Sequence, residues 1–376
     1  MIVGFDAKRA FFNRSGLGNY SRNLINSVCH YYPENIYQLY SPIYRKETSA
    51  FPVIPTNAEV VFPGSLTGKL FSPIWRSLSL TRKVSSNKTN IYHGLSNELP
   101  LNIKNFSSKK IVTIHDLIFL RHPELYAFTD RKIYEIKFRK ACHNADTIIA
   151  VSAQTKNDLK NYFNIRDEKI KIVYQTCDPL YFNFIPNINE SRKVREKYGL
   201  PENYLLYLGT IEERKNLLTL LEAIKQLPEN TALPLVVIGK KKNDYFRKVT
   251  DFIASNHLEN KVIFPEGVSN EELPWFYNGA EIFIYPSLFE GFGIPVLEAL
   301  LCRVPVITSN SSSLPEAAGP SSEFINPSNA EELAFKIQAI LSSSEKKRTM
   351  IHEGNEWAQK FHPAVTSAEL MKVYLE

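Results

Sequence analysis

The chain has 376 residues, 45 Lys plus Arg, 39 Asp plus Glu and a formal net charge of +6. This length suits two domains, because a single hydrophobic core stops growing near about 250 to 300 residues. No apolar run approaches the roughly 18 residues of a membrane span, and the four scattered cysteines form no Cys-x-x-Cys pair, which argues against a zinc or redox motif.

The positive charge is concentrated in the first half of the chain. Residues 1–180 contain 25 Lys plus Arg against 14 Asp plus Glu, whereas residues 181–376 contain 20 against 25. Two basic segments, Lys104–Lys110 and the residues between Arg131 and Lys140, suit contact with anionic lipid or with an anionic acceptor. The alternative is an ordinary solvated face. Because the chain opens on a strand pattern with no leader-like segment, we expect a cytoplasmic protein, with any peripheral contact at the inner face of the membrane.

A glycine turn follows the first predicted strand, Met1–Asp6. Gly16 and Gly18 lie in this turn, which opens a helix that reaches Tyr31. Two glycines in this spacing are weak evidence for a ligand site, because the third glycine and the later acidic residue of the dinucleotide fingerprint are missing. A simple surface loop is the alternative.

His115 follows the apolar run Lys110–Ile114, which predicts a buried strand. A histidine at the carboxyl end of a strand either holds a ligand or is a satisfied structural residue. Asp116 either orients the imidazole or caps the following loop. His93, at the end of an earlier predicted strand, is a weaker candidate.

The rest of the first half alternates strand and helix patterns. Short apolar runs at 37–40, 60–62 and 91–92 flank a helix candidate at 70–84. The later elements are predicted helices 130–144 and 153–163, the second capped by Ser152, strands 147–151 and 170–173, and a linker at 178–190.

Arg214 and Lys215 follow the predicted strand Tyr204–Leu208 just ahead of a helix. The planar fork of an arginine beside the point charge of a lysine neutralises a diphosphate well. An exposed charged pair is the alternative, but two cations beside the positive end of a helix are unfavourable without an anion.

The stretch Phe289–Glu298 concentrates candidate ligand-binding residues, with two glycines and two carboxylates in ten positions. It follows the buried-strand pattern Ile282–Tyr285, and Pro295 suits the first turn of a helix. Glu290 is expected in the loop and Glu298 in the first helical turn, so that both face a ligand at the carboxyl end of the strand. Free backbone N–H groups there donate to an anion or to the oxygens of sugar hydroxyls. The alternative is a glycine turn with an exposed capping carboxylate.

The second half otherwise repeats a strand-then-helix alternation, which predicts a parallel sheet. Further strands are predicted at 235–239, 262–264 and 305–308, and helices at 330–341, through Trp357, and from a bend at Pro363 to Tyr374.

Two motifs resemble those of glycosyltransferase family 4. EGFGIPVLEAL, residues 290–300, has two glutamates separated by seven residues, and TIHDL, residues 113–117, is similar to the family's N-terminal motif. The resemblance implies the α/β GT-B fold, in which two Rossmann-like parallel-sheet domains face each other across a cleft. It implies an acceptor-side domain at 1–180, a nucleotide-sugar-binding domain at 181–361, and a helix at 362–376 that crosses back onto the first domain.

The same resemblance implies a role for each candidate residue. Gly16 and Gly18 face the donor diphosphate, and His115 lies at the donor sugar near the reaction centre. Arg214 and Lys215 bind the leaving diphosphate, and Glu290 contacts the sugar hydroxyls. The other donor contacts are backbone groups of Phe292, Gly293 and Ile294 for sugar and phosphate, Glu298 for the ribose, and the backbone of Val268 for the base. The loop SNSSSLPEAAG after Thr308 also resembles one in the family, which makes Ser309 and Asn310 candidates to line the site, whereas Glu316 is expected to be structural.

The implied activity is retaining transfer of a hexose from GDP-mannose or a UDP-sugar to a hydroxyl of a glycan or lipid-linked acceptor in bacterial cell-surface polysaccharide synthesis. Residues 33–110 then carry the acceptor pocket. No Asp-x-Asp pair occurs in the sequence, so we expect no metal and no cofactor beyond the sugar-nucleotide co-substrate.

Three other functions are weighed against this one. The alternatives are a nucleotide-sugar epimerase or hydrolase of the same architecture and a non-catalytic sugar-nucleotide-binding partner. Nucleic-acid binding is not expected, because no recognised module places aromatic residues among the basic ones.

Overall fold

The structure, a computed structural model, describes residues 1–42, 49–51, 53–63, 80–100, 102–106, 108–229 and 232–376. It divides into two compact units, of which the first comprises Met1–Asp178 with Phe361–Glu376 and the second comprises Pro179–Lys360. These units are defined by packing alone, so the predicted limits of the functional domains stay a prediction.

A parallel sheet forms the centre of the first unit. Within the described residues its strand order is β3-β2-β1-β4-β5-β6-β7. The strands are β1 Ile2–Asp6, β2 Ile36–Tyr40, β3 Ala58–Val61, β4 Ile91–Gly94, β5 Lys109–Ile114, β6 Thr147–Ala150 and β7 Ile170–Ile172. Because β1 lies between β2 and β4, the strand order reverses there, which is where open parallel sheets bind ligands at the strands' carboxyl ends.

Helices join these strands. They are α1 Lys8–Phe12, α2 Gly16–Tyr31, α3 Leu80–Ser86, α4 Ile118–Arg121, α5 Phe128–Asn144 and α6 Ala153–Phe163. Ser152 caps α6 by accepting a hydrogen bond from the Thr155 N–H, as predicted. One core of this unit packs α5 and α6 on β5 and β6, through residues such as Ile114, Phe138 and Leu159.

The second unit has its own parallel sheet. The strand order among its described residues is β10-β9-β8-β11-β12-β13. The strands are β8 Leu205–Leu208, β9 Leu235–Ile238, β10 Val262–Ile263, β11 Ile282–Tyr285, β12 Val306–Ser309 and β13 Glu323–Ile325. Here the order reverses between β8 and β11, so the loops after these two strands are neighbours.

Helices of the second unit cover this sheet, and the last helix returns to the first unit. They are α7 Pro179–Phe182, α8 Ile188–Tyr198, α9 Leu217–Gln226, α10 Asn243–Ser255, α11 Leu273–Asn278, α12 Ile294–Leu301, α13 Leu314–Ala318, α14 Ala330–Leu341 and α15 Ser344–Ala358. Helix α16, Pro363–Leu375, belongs to the first unit and packs against α2.

Most predicted elements are confirmed, with local corrections. Residues 70–79 of the helix predicted at 70–84 lie outside the described part of the chain, and α3 occupies 80–86. The predicted linker 178–190 begins where the first stretch of the first unit ends, and it contains α7 and the start of α8. Strand β13 was not predicted, because its sequence Glu-Phe-Ile follows two serines and has only two apolar residues in a row.

All four cysteines are buried free thiols, as the scattered positions predict. Within the described ranges, no helix combines the length and the apolar character that crossing a lipid bilayer requires.

Candidate functional site

The loops after β8 and β11 are fastened to each other. Arg214 and Lys215 lie in a 3-10 helix, Glu213–Lys215, between β8 and α9. The carbonyl of Arg214 accepts a hydrogen bond from the Leu288 N–H at 2.8 Å and lies 3.1 Å from the Ser287 hydroxyl oxygen. These contacts hold the Arg214–Lys215 segment against the loop that carries Glu290.

Glu290 joins the two predicted cations. Its Oε1 lies 2.5 Å from Lys215 Nζ and 2.9 Å from an Arg214 guanidinium nitrogen. The same oxygen accepts from the hydroxyls of Ser287 at 2.6 Å and Tyr285 at 3.1 Å. Four donors therefore converge on one carboxylate oxygen, and three residues that the sequence proposed from separate motifs form one cluster.

Burial strengthens the charge–charge interactions within this cluster. Burial alone would raise the pKa of Glu290, but the charges of Arg214 and Lys215 outweigh that effect and lower the pKa to about 2. Burial lowers the pKa of the Lys215 ammonium, and Glu290 opposes that change. Burial likewise acts to lower the pKa of Arg214, and Glu290 reverses the direction, so that the guanidinium stays charged.

A second carboxylate orients Arg214 from the other side. Glu212 Oε1 accepts from the guanidinium at 2.9 Å, while the opposite nitrogen donates to the Phe289 carbonyl at 2.7 Å. Glu212 is itself paired with Lys242. The planar fork is thus held at both ends, which fixes the direction in which its remaining N–H groups point.

Tyr285 and Ser287 were missed by the sequence analysis. Tyr285 ends β11, and its hydroxyl contacts both Glu290 and Lys215. The only sequence signal was a tyrosine and a serine in the strand-to-loop segment just ahead of Glu290. That signal does not distinguish a buried hydrogen-bonding role from ordinary strand and turn preferences.

The glycine turn is built as the sequence predicts. Gly293 is the N-cap of α12 with φ of 114°, a backbone conformation that favours glycine, and Pro295 lies in the first turn. A Cβ at Gly293 would meet the Leu314 side chain at 3.0 Å. Ile294 begins the helix and is half-buried, whereas the Phe292 side chain is buried and its carbonyl accepts from Ser313 at 3.0 Å.

Glu298 lies one turn later than predicted. The prediction of the first helical turn is wrong, because α12 begins at Ile294 and Glu298 is its fifth residue. Its carboxylate accepts from the Tyr277 hydroxyl of α11 at 2.9 Å and is half-buried.

The remaining candidates of the second unit lie farther along the sheet. Val268 is half-buried in the loop after β10, two strands away from β8. Ser309 ends β12, and its buried hydroxyl has no hydrogen-bond partner among the described residues. Asn310 is exposed, and Glu316 lies half-buried in α13.

In the first unit, His115 is buried at the carboxyl end of β5. Its Nε2 lies 2.9 Å from the Leu95 carbonyl, which only accepts, so Nε2 carries the hydrogen. Nδ1 then accepts from the Gln175 side-chain amide at 3.1 Å. Burial lowers the pKa of His115 to about 4, so the imidazole is neutral near pH 7. Of the two roles considered for Asp116, the structure shows capping: its carboxylate accepts from the Ile118 N–H at 3.2 Å.

Gly16 and Gly18 are not in a loop, contrary to the sequence expectation. Both lie in the first turn of α2. The N-cap of this helix is Ser15, and Asn13 lies two residues before that cap. A Cβ at Gly18 would lie 1.8 Å from the Asn13 carbonyl oxygen, whereas a Cβ at Gly16 would meet nothing within 4 Å. Helix α2 also carries Tyr20, whose ring packs edge-on against the His115 ring at 4.5 Å, so α2 and His115 form one cluster.

His93 is a structural residue that ties this cluster to the last helix. Its ring nitrogens bond to the Tyr374 hydroxyl of α16 at 2.7 Å and to the Thr113 hydroxyl at 2.8 Å. Thr113 in turn bonds to the Tyr20 hydroxyl at 3.1 Å. Burial lowers the pKa of His93 to about 3, which keeps the chain of hydrogen bonds uncharged.

Comparison with known proteins identifies the family to which the chain belongs. Residues 40–179 match the family described as Glycosyltransferase Family 4, and residues 190–357 match the family described as Glycosyl transferases group 1. The chain is 30% identical over 279 residues to O-antigen chain mannosyltransferase B of Escherichia coli, covering 73% of this chain and 71% of that protein.

Two further proteins illustrate the range of the similarity. The chain is 26% identical over 280 residues to the serotype-specific mannosyltransferase WbdA of E. coli, but the match spans only 34% of the length of WbdA. The structure superposes on sucrose-phosphate synthase from Thermosynechococcus elongatus with a TM-score of 0.78 at 20% identity, covering 100% of this chain and 98% of that one. The second likeness shows the fold alone.

Proposed function

This chain is a glycosyltransferase of family 4, and from that membership we propose that it is a retaining, metal-independent hexosyltransferase. The donor is a nucleotide-diphosphate sugar, and the acceptor is a hydroxyl of a glycan or of a lipid-linked saccharide in cell-surface polysaccharide synthesis. Mannose carried by GDP is the first donor to test, because the relatives at 30% and 26% identity are mannosyltransferases; UDP-sugars are the next.

The observation that carries this proposal is the convergence of Arg214 and Lys215 on Glu290. As the bond to the anomeric carbon breaks, negative charge develops on the departing diphosphate. Two fixed cations in a buried setting stabilise that charge more than they would in water. This positive charge does for the leaving group what a divalent cation does in other transferases, which supports activity without metal.

Glu290 prepares the two cations for that task. Arg214, Lys215, Glu212 and Glu290 carry two positive and two negative charges, so the cluster without donor is neutral as a set. An ammonium has three hydrogens, and Glu290 and Tyr285 accept from Lys215. The third N–H of Lys215 donates a hydrogen bond to a phosphate oxygen, and the carboxylate of Glu290 accepts hydrogen bonds from sugar hydroxyls.

The remaining roles follow the family resemblance. The acceptor hydroxyl attacks the anomeric carbon on the face that the diphosphate leaves, and a phosphate oxygen takes its proton, so the configuration is retained. The neutral His115 lies at the donor sugar and does not act as a general acid, since its pKa of about 4 is far below neutral. The proposal includes peripheral contact of the first unit with an anionic membrane, where a lipid-linked acceptor resides.

A donor panel tests this function. Each sugar nucleotide is added to the full chain and the thermal unfolding temperature is measured, since a donor at about 100 times its Kd adds about 2.7 kcal/mol of stability. Lys215→Ala should abolish the shift of the selected donor. Lys193→Ala, a change of a lysine with 70% of its side chain exposed on α8, should leave it intact.

Product analysis then separates the reaction classes. Transfer to an added acceptor with retained anomeric configuration, unaffected by a chelator, supports the proposal. Sugar released to water in the presence of acceptor, an epimerised donor, an inverted product or loss of activity with chelator would each contradict the corresponding part.

A further inference from the structure

Helix α5 in the first unit has one face that is fully used in folding. Phe138, Ala141 and Cys142 are buried, and the Phe138 ring packs against Phe119 of α4 at 5.2 Å. At about 100° per residue, side chains near this stripe point into the unit. The opposite side of α5 is therefore free to present other chemistry.

That opposite side displays large apolar side chains. Phe128 and Ile136 are each 66% exposed and Ile133 is 49% exposed. Ile136 lies two residues before Phe138, about 200° around the helix, so it points directly away from the core. Single exposed apolar residues are common, but three on one helix surface indicate a binding face.

Cations surround these apolar residues. Helix α5 carries five basic residues, namely Arg131, Lys132, Lys137, Arg139 and Lys140, against Asp130 and Glu135. Lys132, Ile136 and Lys140 follow one another at intervals of four, which places an isoleucine between two lysines on one stripe. Arg131 and Lys132 lie 5.5 and 5.9 Å from the Phe128 ring.

Three of the five basic residues have a carboxylate partner. Glu135 pairs with Arg139 at 3.2 Å and with Lys132 at 3.5 Å, and Glu98 pairs with Lys137 at 3.4 Å. The side chains of Lys132, Lys137 and Arg139 are about half exposed, at 53%, 48% and 49%. The helix retains a net charge of three positive units, in a half of the chain where cations outnumber anions 25 to 14.

We propose that this face of α5, formed by Phe128, Lys132, Ile133, Ile136 and Lys140, docks on an anionic lipid bilayer. The isoleucines and the phenylalanine enter the boundary between headgroups and acyl chains, and the lysines contact the anionic headgroups, as in interfacial amphipathic helices. This inference rests on the membrane contact in the proposed function but not on sugar transfer. A nucleic acid is disfavoured because two of the three exposed apolar side chains are aliphatic, which leaves Phe128 as the one ring of this face on which a base could stack.

Vesicle sedimentation with the full chain tests the proposal. Binding is measured to vesicles of phosphatidylcholine alone and of phosphatidylcholine mixed with phosphatidylglycerol. The chain should bind the mixed vesicles only. Lys132→Gln with Lys140→Gln should weaken partition about thirty-fold, the effect of about 1 kcal/mol for each cation, and the difference should vanish at high salt.

An apolar pair of substitutions tests the second component. Ile133→Ser with Ile136→Ser should weaken partition at low and high salt alike, since apolar insertion is not screened. Matched controls in the second unit are Phe335→Ser, at a residue 68% exposed, and Lys193→Gln with Arg247→Gln. Circular dichroism checks that every variant is folded, as substitutions of exposed side chains should be.

Three results would overturn the proposal. These are unchanged vesicle binding in both α5 variants, equal binding to neutral vesicles, and binding to DNA or RNA but not to mixed vesicles. If sugar transfer to a soluble acceptor fails while vesicle binding follows α5, the transferase proposal falls and the docking face stands. The reverse pattern leaves the transferase and removes the docking face.

Discussion

Gln175 donates a hydrogen bond from its side-chain amide to Nδ1 of His115 at 3.1 Å. Gln175 follows β7 and lies three residues before Asp178, where the first packing unit ends. The Leu95 carbonyl sets the tautomer of this histidine, and the segment that leads out of the unit supplies the hydrogen bond to its other ring nitrogen. Any displacement of that segment changes what His115 offers to a ligand.

Replacing Gln175 by glutamate should change the titration of His115. A carboxylate at Nδ1 favours the protonated ring, so the pKa should rise from about 4 towards its ordinary range. Gln175→Leu removes the hydrogen bond without adding charge, and its His115 should stay neutral near pH 7. The measurement is an NMR titration of the imidazole alongside the pH profile of transfer. Identical titrations in both variants would rule out direct coupling between these residues.

Glu290→Gln should separate nucleotide binding from sugar transfer. The change leaves two buried cations without their neutralising carboxylate, which should destabilise the protein by about 3 kcal/mol. The cluster becomes more positive, so a nucleoside diphosphate without sugar should bind at least as tightly, while turnover should fall about 100-fold or more. Calorimetry and initial rates measure the two effects.

Glu331→Gln is the control for that experiment, because Glu331 is exposed on α14. It should change neither quantity. A parallel loss of nucleotide affinity and turnover in Glu290→Gln would contradict the assignment of Glu290 to the sugar.

The two glycines of α2 should respond oppositely to alanine. A Cβ at Gly18 would lie 1.8 Å from the Asn13 carbonyl oxygen, so Gly18→Ala should cost about 3 kcal/mol or more. Gly16 has open space around it, so Gly16→Ala should raise the free energy of unfolding by at most about 1 kcal/mol. Chemical denaturation measures both. If Gly16 approaches the donor diphosphate, Gly16→Ala should lower donor affinity in a protein that is more stable; unchanged affinity would argue against that role.

Acid should destabilise the first unit through its buried histidines. His93 and His115 have folded pKa values of about 3 and about 4, below the ordinary value of 6.5. The unfolded chain therefore binds protons at a higher pH than the folded chain does. The contribution of the two neutral histidines to stability is complete above about pH 6.5 and is lost as the pH falls. Each histidine should cost about 2 kcal/mol between about pH 7 and about pH 5.

Unfolding curves over this pH range check the expectation. His93→Gln should flatten the pH dependence by the share of one histidine. His352→Gln, at a side chain 73% exposed on α15, should leave the slope unchanged. An unchanged slope in His93→Gln would show that other groups control the acid response.

The sequence was sufficient for the elements that carry the site. Runs such as Ile282–Tyr285 are apolar because strands of a parallel sheet are covered on both faces, and the structure buries all four residues. Pro295 located the start of α12. The cations and Glu290 were linked beforehand only by family resemblance, since nothing local specifies a contact between residues 75 positions apart.

Other features depend on packing that no local pattern encodes. Gly16 and Gly18 were placed in a loop because glycine favours turns, yet the close approach of Asn13 is what Gly18 accommodates. Glu298 was predicted one helical turn too early, although the position of Pro295 in the first turn of the same helix was predicted correctly. Gln175, Tyr285 and Tyr374 act through contacts with residues distant in sequence, namely His115, Lys215 and His93, so their types alone gave no signal.

The bond between Tyr374 and His93 also constrains how the protein is made. β4 leaves the ribosome early, but the hydroxyl that completes its buried histidine arrives only after the whole intervening unit has been translated. During translation the first unit therefore lacks this buried hydrogen bond until residue 374 has been added. Chains stalled before that residue should be better substrates for chaperones and proteases than released chains.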